Sequence, residues 1–282
     1  MEVEERKWEN LASDCLVCIF CCVGLEELTI ALPFVCKSWY EASLDPRCWK
    51  KLDFQGLDFR FRRKFERRSD RQYGFMSTTF SFPSFMKLCV DRSRGSAVQL
   101  SIPDFWSALS LQNLITASIG CPRLKALSFS GVLQQDEKHL PELISKWKEL
   151  EILKIAQKPF SILEIFEQIS INCPNFRGLH LHGLFNTTET RAIVRCMPRL
   201  KILEISGSVI CKENLMEILD GCEELEVLNV SYCAGFDVDN EILKKASNIK
   251  KFECEGTTRE GTMIHHSLIE RLRIARKYSR WL

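Results

Sequence analysis

Four cysteines near the amino terminus form the densest cluster of residues that could bind a metal. They are Cys15, Cys18, Cys21 and Cys22, in the pattern C-x-x-C-x-x-C-C. Structural zinc sites usually combine two close ligands with a second pair further along the chain. On a helix, residues 15, 18 and 22 share one face, and such rigid placement rarely completes a tetrahedron around a metal. We therefore predict that these thiols pack with the helix or are incidental, and that the chain has no metal site.

The histidines give a weaker signal for chemistry. Of the five, only His180 and His182 recur at strand spacing, which places both on one solvent-exposed face. His265 and His266 have no cysteine or carboxylate at a recognisable metal-ligand spacing. The sequence also contains no P-loop and no G-x-G-x-x-G, G-x-S-x-G or H-E-x-x-H motif. We therefore predict no catalytic residue, no cofactor and no enzyme activity.

The composition bounds the class of protein. With 282 residues, 45% of them hydrophobic, the chain can form a sizeable core in one or two domains. A net charge of +2 excludes a disordered tail protein and a globally basic nucleic-acid binder. Fourteen cysteines would indicate disulfides in a short secreted chain, but this sequence begins with the acidic, polar MEVEERKWEN. We expect an intracellular protein with reduced thiols, in the nucleus, the cytoplasm or both, with no membrane span.

Charge is distributed in four blocks. Residues 1–56 carry a net charge of −4, residues 57–95 of +6, residues 96–256 of −4 and residues 257–282 of +4. Because changes in charge often accompany changes in structure, we take these limits as provisional domain boundaries.

Six segments align without gaps and share the pattern L-x-x-L-x-L. They occupy residues 121–131, 147–157, 173–183, 197–207, 222–232 and 246–256. Successive segments begin 26, 26, 24, 25 and 24 residues apart, and a degenerate copy, SAVQLSI, precedes them at 96–102. A fixed period of this kind is the signature of a repeat architecture.

Each repeat combines a strand with a helix. The x-L-x-L part alternates with a period of two, which is typical of a strand with one buried face. Between the strands, apolar residues recur at intervals of three and four residues, as in the amphipathic stretches 140–147, 162–169 and 215–219. One such unit cannot bury its apolar face alone, so neighbouring copies must stack into a solenoid of parallel strands.

Residues 96–256 therefore resemble the leucine-rich repeats, particularly the cysteine-containing kind. The resemblance implies an α/β fold with parallel strands on a concave face and helices on a convex face. Cys121, Cys173 and Cys222 lie where other copies have tryptophan, methionine or alanine, so we predict that they fill an apolar slot. The Asn/Cys position that ends each repeat strand in this family is matched only by Cys233.

Residues 8–54 have a different, helical pattern. Apolar residues at three and four predict short amphipathic helices at 13–23, 25–32 and 34–44. We expect Ser13 or Asp14 to cap the first helix and Pro33 to separate the second from the third. A unit of about 45 residues is too small to bury its apolar residues fully, so part of its surface is expected to contact a partner.

Three motifs in this segment carry a second resemblance. They are W-x-x-L-x-x-D-x-L-x-x-I-F, then L-x-x-A, then V-C-K-x-W-x-x-A-x-x-D-P-x-x-W. The segment resembles an F-box, and its combination with the repeats is similar to plant F-box/LRR-repeat proteins. The resemblance implies binding to the Skp-type adaptor of a cullin–RING (SCF) ubiquitin ligase. The residues that it implies in adaptor binding are Leu11, Leu16, Ile19, Phe20, Leu28, Val35 and Trp39.

Two qualifications accompany these residues. Any of them could instead only hold the three helices together, because the domain is so small. The family usually has Leu-Pro near the start, whereas Ala12 follows Leu11 here. Loss of the proline removes some rigidity before the first helix, and we expect it to weaken adaptor binding.

Two basic segments flank the repeats. RFRRKFERRSDR at 60–71 has interleaved and following aromatic residues, including Phe61, Phe65, Tyr73 and Phe75. It could bind nucleic acid or direct nuclear import, but we favour a connector whose aromatic residues cap the first repeat. A helix is predicted at 82–93. Residues 264–281 form a basic amphipathic stripe that could bind a membrane surface, but we favour a helix that caps the last repeat.

The solvent-facing strand positions of the repeats are the candidate substrate-binding surface, since solenoids bind partners there. The residues expected on this concave face are Ser128, Ser130, Lys154, His180, His182, Glu204, Ser206, Asn229, Ser231, Glu253 and Glu255. Their mixed charge, acidic toward the carboxyl end, favours a protein or peptide partner over a polyanion. The alternative is an ordinary solvated sheet face, with the contact made by loops.

These predictions combine into one reading of the chain. Residues 1–56 are the F-box, 57–95 a basic connector and leading helix, 96–256 the repeats (six clear copies and one degenerate) and 257–282 a capping helix. The predicted function is a non-catalytic substrate-recognition subunit of an SCF ubiquitin ligase, with a Skp-type adaptor, cullin, RING subunit and an unknown protein substrate as partners. The alternatives are an F-box scaffold without ubiquitination and a nucleic-acid-associated protein acting through 60–71.

Overall fold

The computed structural model describes residues 8, 11–57, 60–61, 64–65, 80–102 and 110–259. The chain divides into two compact units, Met1–Leu150 and Glu151–Leu282. The first contains a helical module followed by strand–helix repeats, and the second contains further repeats. The predicted α/β leucine-rich-repeat architecture is confirmed. The division between the units falls within the repeats, so the four segments drawn from charge remain a prediction about the sequence.

The amino-terminal module consists of short helices joined by tight turns. Its helices are α1 (Ser13–Phe20), α2 (Leu25–Ile30) and α3 (Lys37–Ser43), with 3-10 turns at Leu32–Phe34 and Pro46–Trp49. Pro33 lies in the turn between α2 and α3, as predicted. The Trp49 side chain is completely buried, and its indole N–H donates to the carbonyl oxygen of Ser43 at 2.8 Å, which holds the last turn against α3.

The start of α1 differs from the prediction. Its N-cap is Ala12, with an extended ψ of 141°, rather than Ser13 or Asp14, and no side chain caps the helix among the described residues. The Asp14 carboxylate instead accepts a hydrogen bond from Arg47, with 2.8 Å between Oδ1 and Nη2. This residue therefore ties α1 to the turn that follows α3.

Among the described residues of the first unit, three parallel strands and three α-helices follow the helical module. They are β1 (Lys51–Asp53), β2 (Gln99–Ser101), β3 (Ala126–Phe129), α4 (Phe82–Ser93), α5 (Leu111–Gly120) and α6 (Leu140–Ser145). The helix predicted at 82–93 is confirmed by α4. Strand β1 directly follows the helical module and pairs with β2, which pairs with β3. The module is thus joined to the first repeats by continuous backbone hydrogen bonding.

Aromatic residues of the connector are packed inside the first unit. Phe61 and Phe65 are 0% and 5% exposed, and each ring centroid lies 5.0 Å from that of Phe85 in α4. They are core residues, which supports the connector interpretation of this segment. Tyr73 and Phe75 lie outside the described residues.

The second unit contains a ladder of five parallel strands. They are β4 (Ile152–Ile155), β5 (Gly178–Leu181), β7 (Ile202–Glu204), β9 (Val227–Asn229) and β10 (Lys251–Glu253), paired in that order. A short pair, β6 (Leu184–Phe185) with β8 (Val209–Ile210), follows two of these strands. Up to residue 259, the α-helices of this unit are α7 (Ile162–Asn172), α8 (Thr187–Cys196), α9 (Lys212–Gly221) and α10 (Asn240–Lys245).

The apolar repeat positions form the core. The central leucines of four successive strands are each 0% exposed and lie in register: Leu153, Leu179, Leu203 and Leu228. Burying one such side chain stabilises the fold by about 1.5–3 kcal/mol. The final set, Ile249, Phe252 and Cys254, is only half-buried. The capping helix predicted at 264–281 lies outside the described residues.

The three repeat cysteines predicted to fill an apolar slot are core thiols, whereas Cys211 in the same region is exposed. Cys121, Cys173 and Cys222 are at most 3% exposed, and burial raises the pKa of Cys121 to about 12 and of Cys222 to about 11. Cys233 donates its S–H to the carbonyl oxygen of Ile205 in the preceding repeat, at 3.2 Å. This contact links the end of one repeat strand to the strand of the repeat before it.

Candidate functional site

Two surfaces correspond to the sites predicted from the sequence, and the first is on the helical module. Ile19 in α1 and Val35 after α2 are 43% and 58% exposed, although both are apolar. Leu11 and Trp39 are half-buried. These four side chains can be reached by a partner, and burial of exposed apolar groups is the main source of association energy. Adaptor contact through them remains a prediction.

The other three residues of that set lie inside the module. Leu16, Phe20 and Leu28 are 0%, 1% and 1% exposed. A side chain so fully covered holds the helices together and supports a binding surface indirectly. Burial thus assigns these three residues to the core, and contact with an adaptor stays a prediction for the other four.

Trp8 was missed by the sequence-based choice of contact residues. It is 62% exposed, and its carbonyl oxygen accepts a hydrogen bond from the Trp39 indole at 3.5 Å. The Trp39 ring in turn packs edge-on against Phe20, with centroids 5.3 Å apart. Tryptophan is enriched among the residues that contribute most to interfaces, so exposed Trp8 is a further candidate contact. Its place at the start of the W-x-x-L motif was the signal in the sequence that could have identified it.

The four cysteines that opened the question of metal binding lie on the surface of α1 and its end. Cys15, Cys18, Cys21 and Cys22 are all exposed. In the part of the chain that the structure describes, no three or more His, Cys, Asp or Glu side chains are grouped to hold a metal. Buried Cys48 lies beside Cys21, and desolvation together with that thiol raises the Cys48 pKa to about 12.

The second surface is the exposed face of the strands. In the second unit, one row of it runs across five strands in register: Lys154, His180, Glu204, Asn229 and Glu253. Side chains of this row bond to one another across neighbouring repeats. His180 Nδ1 lies 2.7 Å from Glu204 Oε2, and Asn229 Nδ2 donates to Glu253 Oε2 at 2.9 Å.

Glu204 lies in the middle of this row, and its carboxyl group has a lowered pKa. The hydrogen bond from His180 lowers the pKa of the Glu204 carboxyl group, and this effect outweighs partial burial, which acts in the opposite direction. Glu204 is therefore a carboxylate at neutral pH, and His180 is held by it in a fixed orientation.

The next row along the strands contains His182, Ser206, Ser231 and Glu255. His182 Nδ1 lies 2.5 Å from the carbonyl oxygen of Ser206. Ser231 is only 8% exposed, and the next residue, Tyr232, has a left-handed backbone conformation with φ 57°. Ser231 was expected to line the open face, but the structure places it mostly out of reach of a partner.

In the first unit, the corresponding positions are Ser128 and Ser130, which are both half-buried. The Ser128 hydroxyl accepts a hydrogen bond from Gln55 Nε2 at 3.3 Å. Gln55 follows β1, so a residue at the end of the helical module contributes to the strand face of this unit.

An apolar row beside the polar one was not predicted. Ile152, Gly178, Ile202 and Val227 lie in register, with Lys251 at the end. The three larger side chains are half-buried. A Cβ on Gly178 would lie 3.1 Å from Ile152 Cγ1, so the absence of a side chain there leaves room for its neighbours. This row could have been predicted from the sequence, because three of the repeat copies have an aliphatic residue at this outward strand position.

No helix within the described ranges has the length and apolar character needed to cross a bilayer.

Comparison with known proteins agrees with both parts of the fold. A family model for the F-box domain matches residues 8–51. An F-box/LRR-repeat protein of Arabidopsis thaliana is 32% identical over 271 residues, covering 88% of this chain and 83% of that protein. F-box/LRR-repeat protein 23 of the same plant is 26% identical over 258 residues, covering 88% of this chain and 53% of its own length. F-box protein FBW2, also from this plant, is 26% identical over 255 residues, covering 86% of this chain and 74% of that protein. The chain belongs to the F-box/LRR-repeat proteins, and its helical module is the F-box.

Proposed function

We propose that the chain is the substrate-recognition subunit of an SCF (Skp–cullin–F-box) ubiquitin ligase. The F-box binds a Skp-type adaptor and, through it, the cullin and RING subunits. The repeats hold a target protein for ubiquitination. The observation that carries the proposal is the F-box at residues 8–51 in a chain that continues into repeats with an open strand face.

The surface of the F-box supports the adaptor half of the proposal. Trp8, Ile19 and Val35 expose apolar surface on a module whose remaining apolar side chains are largely buried. Covering one such side chain contributes on the order of 1.5–3 kcal/mol before the cost of association. A few residues of this kind are enough for a stable interface, since most binding energy comes from a small central set.

The strand face of the second unit supports the substrate half. It combines an apolar row (Ile152, Ile202, Val227) with a polar row centred on Glu204. An apolar strip beside hydrogen-bonding groups suits a folded protein or a peptide, because both parts of the surface are then used.

In this proposal the chain contributes proximity and no reacting group. A scaffold that holds a target beside a ubiquitin-loaded enzyme raises the effective concentration of the two reactants. Location in the nucleus, the cytoplasm or both belongs to the same proposal. A nucleic-acid function through residues 60–71 is not favoured, because Phe61 and Phe65 are buried and cannot stack on bases.

The test is co-purification with a Skp-type adaptor. The double variant Ile19→Asp, Val35→Asp places two charges on the exposed apolar surface, and we expect adaptor affinity to fall at least about tenfold, with the fold retained. Lys37→Glu is a matched control, since it changes charge at a side chain that is 89% exposed in the same module.

Two results would count against the proposal. If the wild-type chain fails to retain the adaptor, the proposal that the F-box binds a Skp-type adaptor is contradicted. Equal adaptor binding by the double variant and the wild-type protein would show that a different surface is used. Leu16→Ala is not suitable as a contact variant, because Leu16 is fully buried and its truncation destabilises the module.

A further inference from the structure

The histidine pair on the second unit's strand face has a geometry that the proposed function does not use. His180 and His182 are two residues apart, so their side chains leave the same face about 6.6 Å apart at the backbone. Both are half-buried on the open side of the sheet, and neither faces the apolar core. Two imidazole groups at this spacing can approach one ion bound about 2.0–2.1 Å from each ring nitrogen.

The hydrogen bonds fix which nitrogen of each ring carries the hydrogen. The carbonyl oxygen of Ser206 can only accept, so His182 Nδ1, at 2.5 Å, is the donor. Glu204 is a carboxylate, so His180 Nδ1, at 2.7 Å, is also the donor. In the neutral form of each ring the lone pair is therefore on Nε2. Neither Nε2 has a hydrogen-bond partner among the described residues.

Both rings are held by hydrogen bonds to the same neighbouring repeat. The two acceptors, Glu204 Oε2 and the Ser206 carbonyl oxygen, belong to the one repeat that follows β5. Histidines that bind metals in proteins almost always donate their second nitrogen to a carboxylate or a backbone carbonyl group, which fixes the tautomer and raises the basicity of the ligand. Here one ring has the first kind of acceptor and its neighbour has the second.

We propose that His180 Nε2 and His182 Nε2 form a two-histidine site for a divalent transition metal ion such as Zn²⁺ or Cu²⁺. Imidazole suits these ions, and the remaining coordination positions are open to water in the isolated protein. A site with two protein ligands binds with modest affinity and can accept a further ligand from a bound partner. The proposal does not depend on adaptor binding or on ubiquitination.

One neighbouring positive charge should weaken metal binding at this site, and its removal therefore tests the proposal. Lys154 lies opposite His180 in the preceding strand and is exposed. Its ammonium group repels a bound cation, so Lys154→Gln is expected to tighten metal binding by about two- to fivefold, the size of an exposed charge interaction at short range. Lys158 has no comparable effect, because it is paired with Glu189 at 2.6 Å.

The experiment is a competition titration of the full chain with Zn²⁺ and a chromophoric chelator. The background protein carries His265→Ala and His266→Ala, and its exposed thiols are blocked with N-ethylmaleimide, which removes competing ligands. We expect one site in this background, with His180→Ala or His182→Ala weakening it at least about tenfold and Glu204→Gln by about tenfold. His139→Ala, at an exposed histidine of the first unit, is the matched control and should change nothing.

The proposal is overturned if the background protein binds no Zn²⁺ with a dissociation constant below about 1 mM, or if the His180 and His182 variants bind it like the control. If a variant fails to fold, substoichiometric Cu²⁺ added to the otherwise unaltered background protein gives the answer by NMR. The ring signals of His180 and His182 should broaden before that of His139. Equal broadening of all three would reject the site.

Discussion

The F-box and the repeats of the second unit differ in the groups that they leave at the surface. The F-box exposes aliphatic side chains, Ile19 and Val35, and four thiols on or just after α1. The strand face of the second unit exposes polar side chains that already bond to each other, as in His180–Glu204. Exposed apolar groups favour burial by a partner in general, whereas polar groups that are already hydrogen-bonded favour a partner with complementary donors and acceptors. The contrast fits one constant partner at the F-box and a more selective one at the repeats.

The sharpest test of this contrast compares a buried repeat position with an exposed F-box position. Leu203→Ala should lower the free energy of unfolding by about 3 kcal/mol, since it leaves a cavity in the centre of the ladder. Val35→Ala should change it by less than about 0.5 kcal/mol, because that side chain has little packing to lose. Urea denaturation of both variants measures the difference. Similar losses would mean that Val35 is part of the F-box core.

Thiol reactivity should divide the cysteines in the same way. Cys15, Cys18, Cys21 and Cys22 are exposed, whereas burial raises the pKa of Cys121 to about 12 and of Cys222 to about 11. The thiolate is the reactive form, so iodoacetamide at pH 7.5 should label these four exposed thiols at least about a hundredfold faster than Cys121 and Cys222. Peptide mass spectrometry over time measures the two rates. The same labelling in urea, where the rates should converge, is the control.

Restoring the family's proline should strengthen the F-box slightly. Ala12 has φ −57° and ψ 141°, which proline adopts without strain, and its N–H donates to no described residue. Ala12→Pro should therefore raise the free energy of unfolding by about 0.4–1 kcal/mol through a less flexible unfolded chain. Thermal denaturation is the measurement. A lower melting temperature would show that the N–H of Ala12 is needed, and Ser13→Pro, one residue further on, is the matched comparison.

The smallest expected effect is the pH dependence contributed by Glu204. Its folded pKa is lowered by His180, so its stabilising contribution is present above the unfolded pKa near 4.5 and is lost as pH falls through the folded value. Glu204→Gln should therefore make the loss of stability in acid less steep, by less than about 1 kcal/mol for a partly exposed pair. Urea denaturation at pH 7, 5 and 3 tests this, with Glu255→Gln as an exposed control.

Regular spacing made the repeats predictable, and the small size of the F-box limited what could be predicted there. Alternation with period two placed Leu179 and Leu203 in the core correctly, because a strand has only two faces. In α1, Leu16 and Ile19 share one helical stripe in the sequence, yet one is 0% and the other 43% exposed. The buried residues Leu16, Val17 and Phe20 lie within one arc of about 100°, and Ile19 lies outside it. In so short a helix the sequence does not fix the edge of the buried stripe, and contacts distant in sequence decide which residue faces outward.

The candidate site was predicted in outline and missed in detail. The polar row was found because outward strand positions can be counted from the repeat. The fixed orientation of His180 was not predictable, since it depends on Glu204 lying in register 24 residues later. The N-cap of α1 was misplaced because Asp14 bonds to Arg47, a contact that local capping preferences cannot anticipate.

The side-chain pairs between neighbouring repeats have a consequence for how such a chain can evolve. Lys201 Nζ bonds to Glu226 at 3.0 Å, His180 bonds to Glu204, and Asn229 to Glu253, and each pair joins a repeat to its successor. The side chains on the surface of each copy therefore match those of the copy that follows it in the sequence. Exchanging two copies would leave mismatched side chains at the junctions that those copies make, so a rearrangement that keeps neighbouring copies together disturbs the fewest pairs.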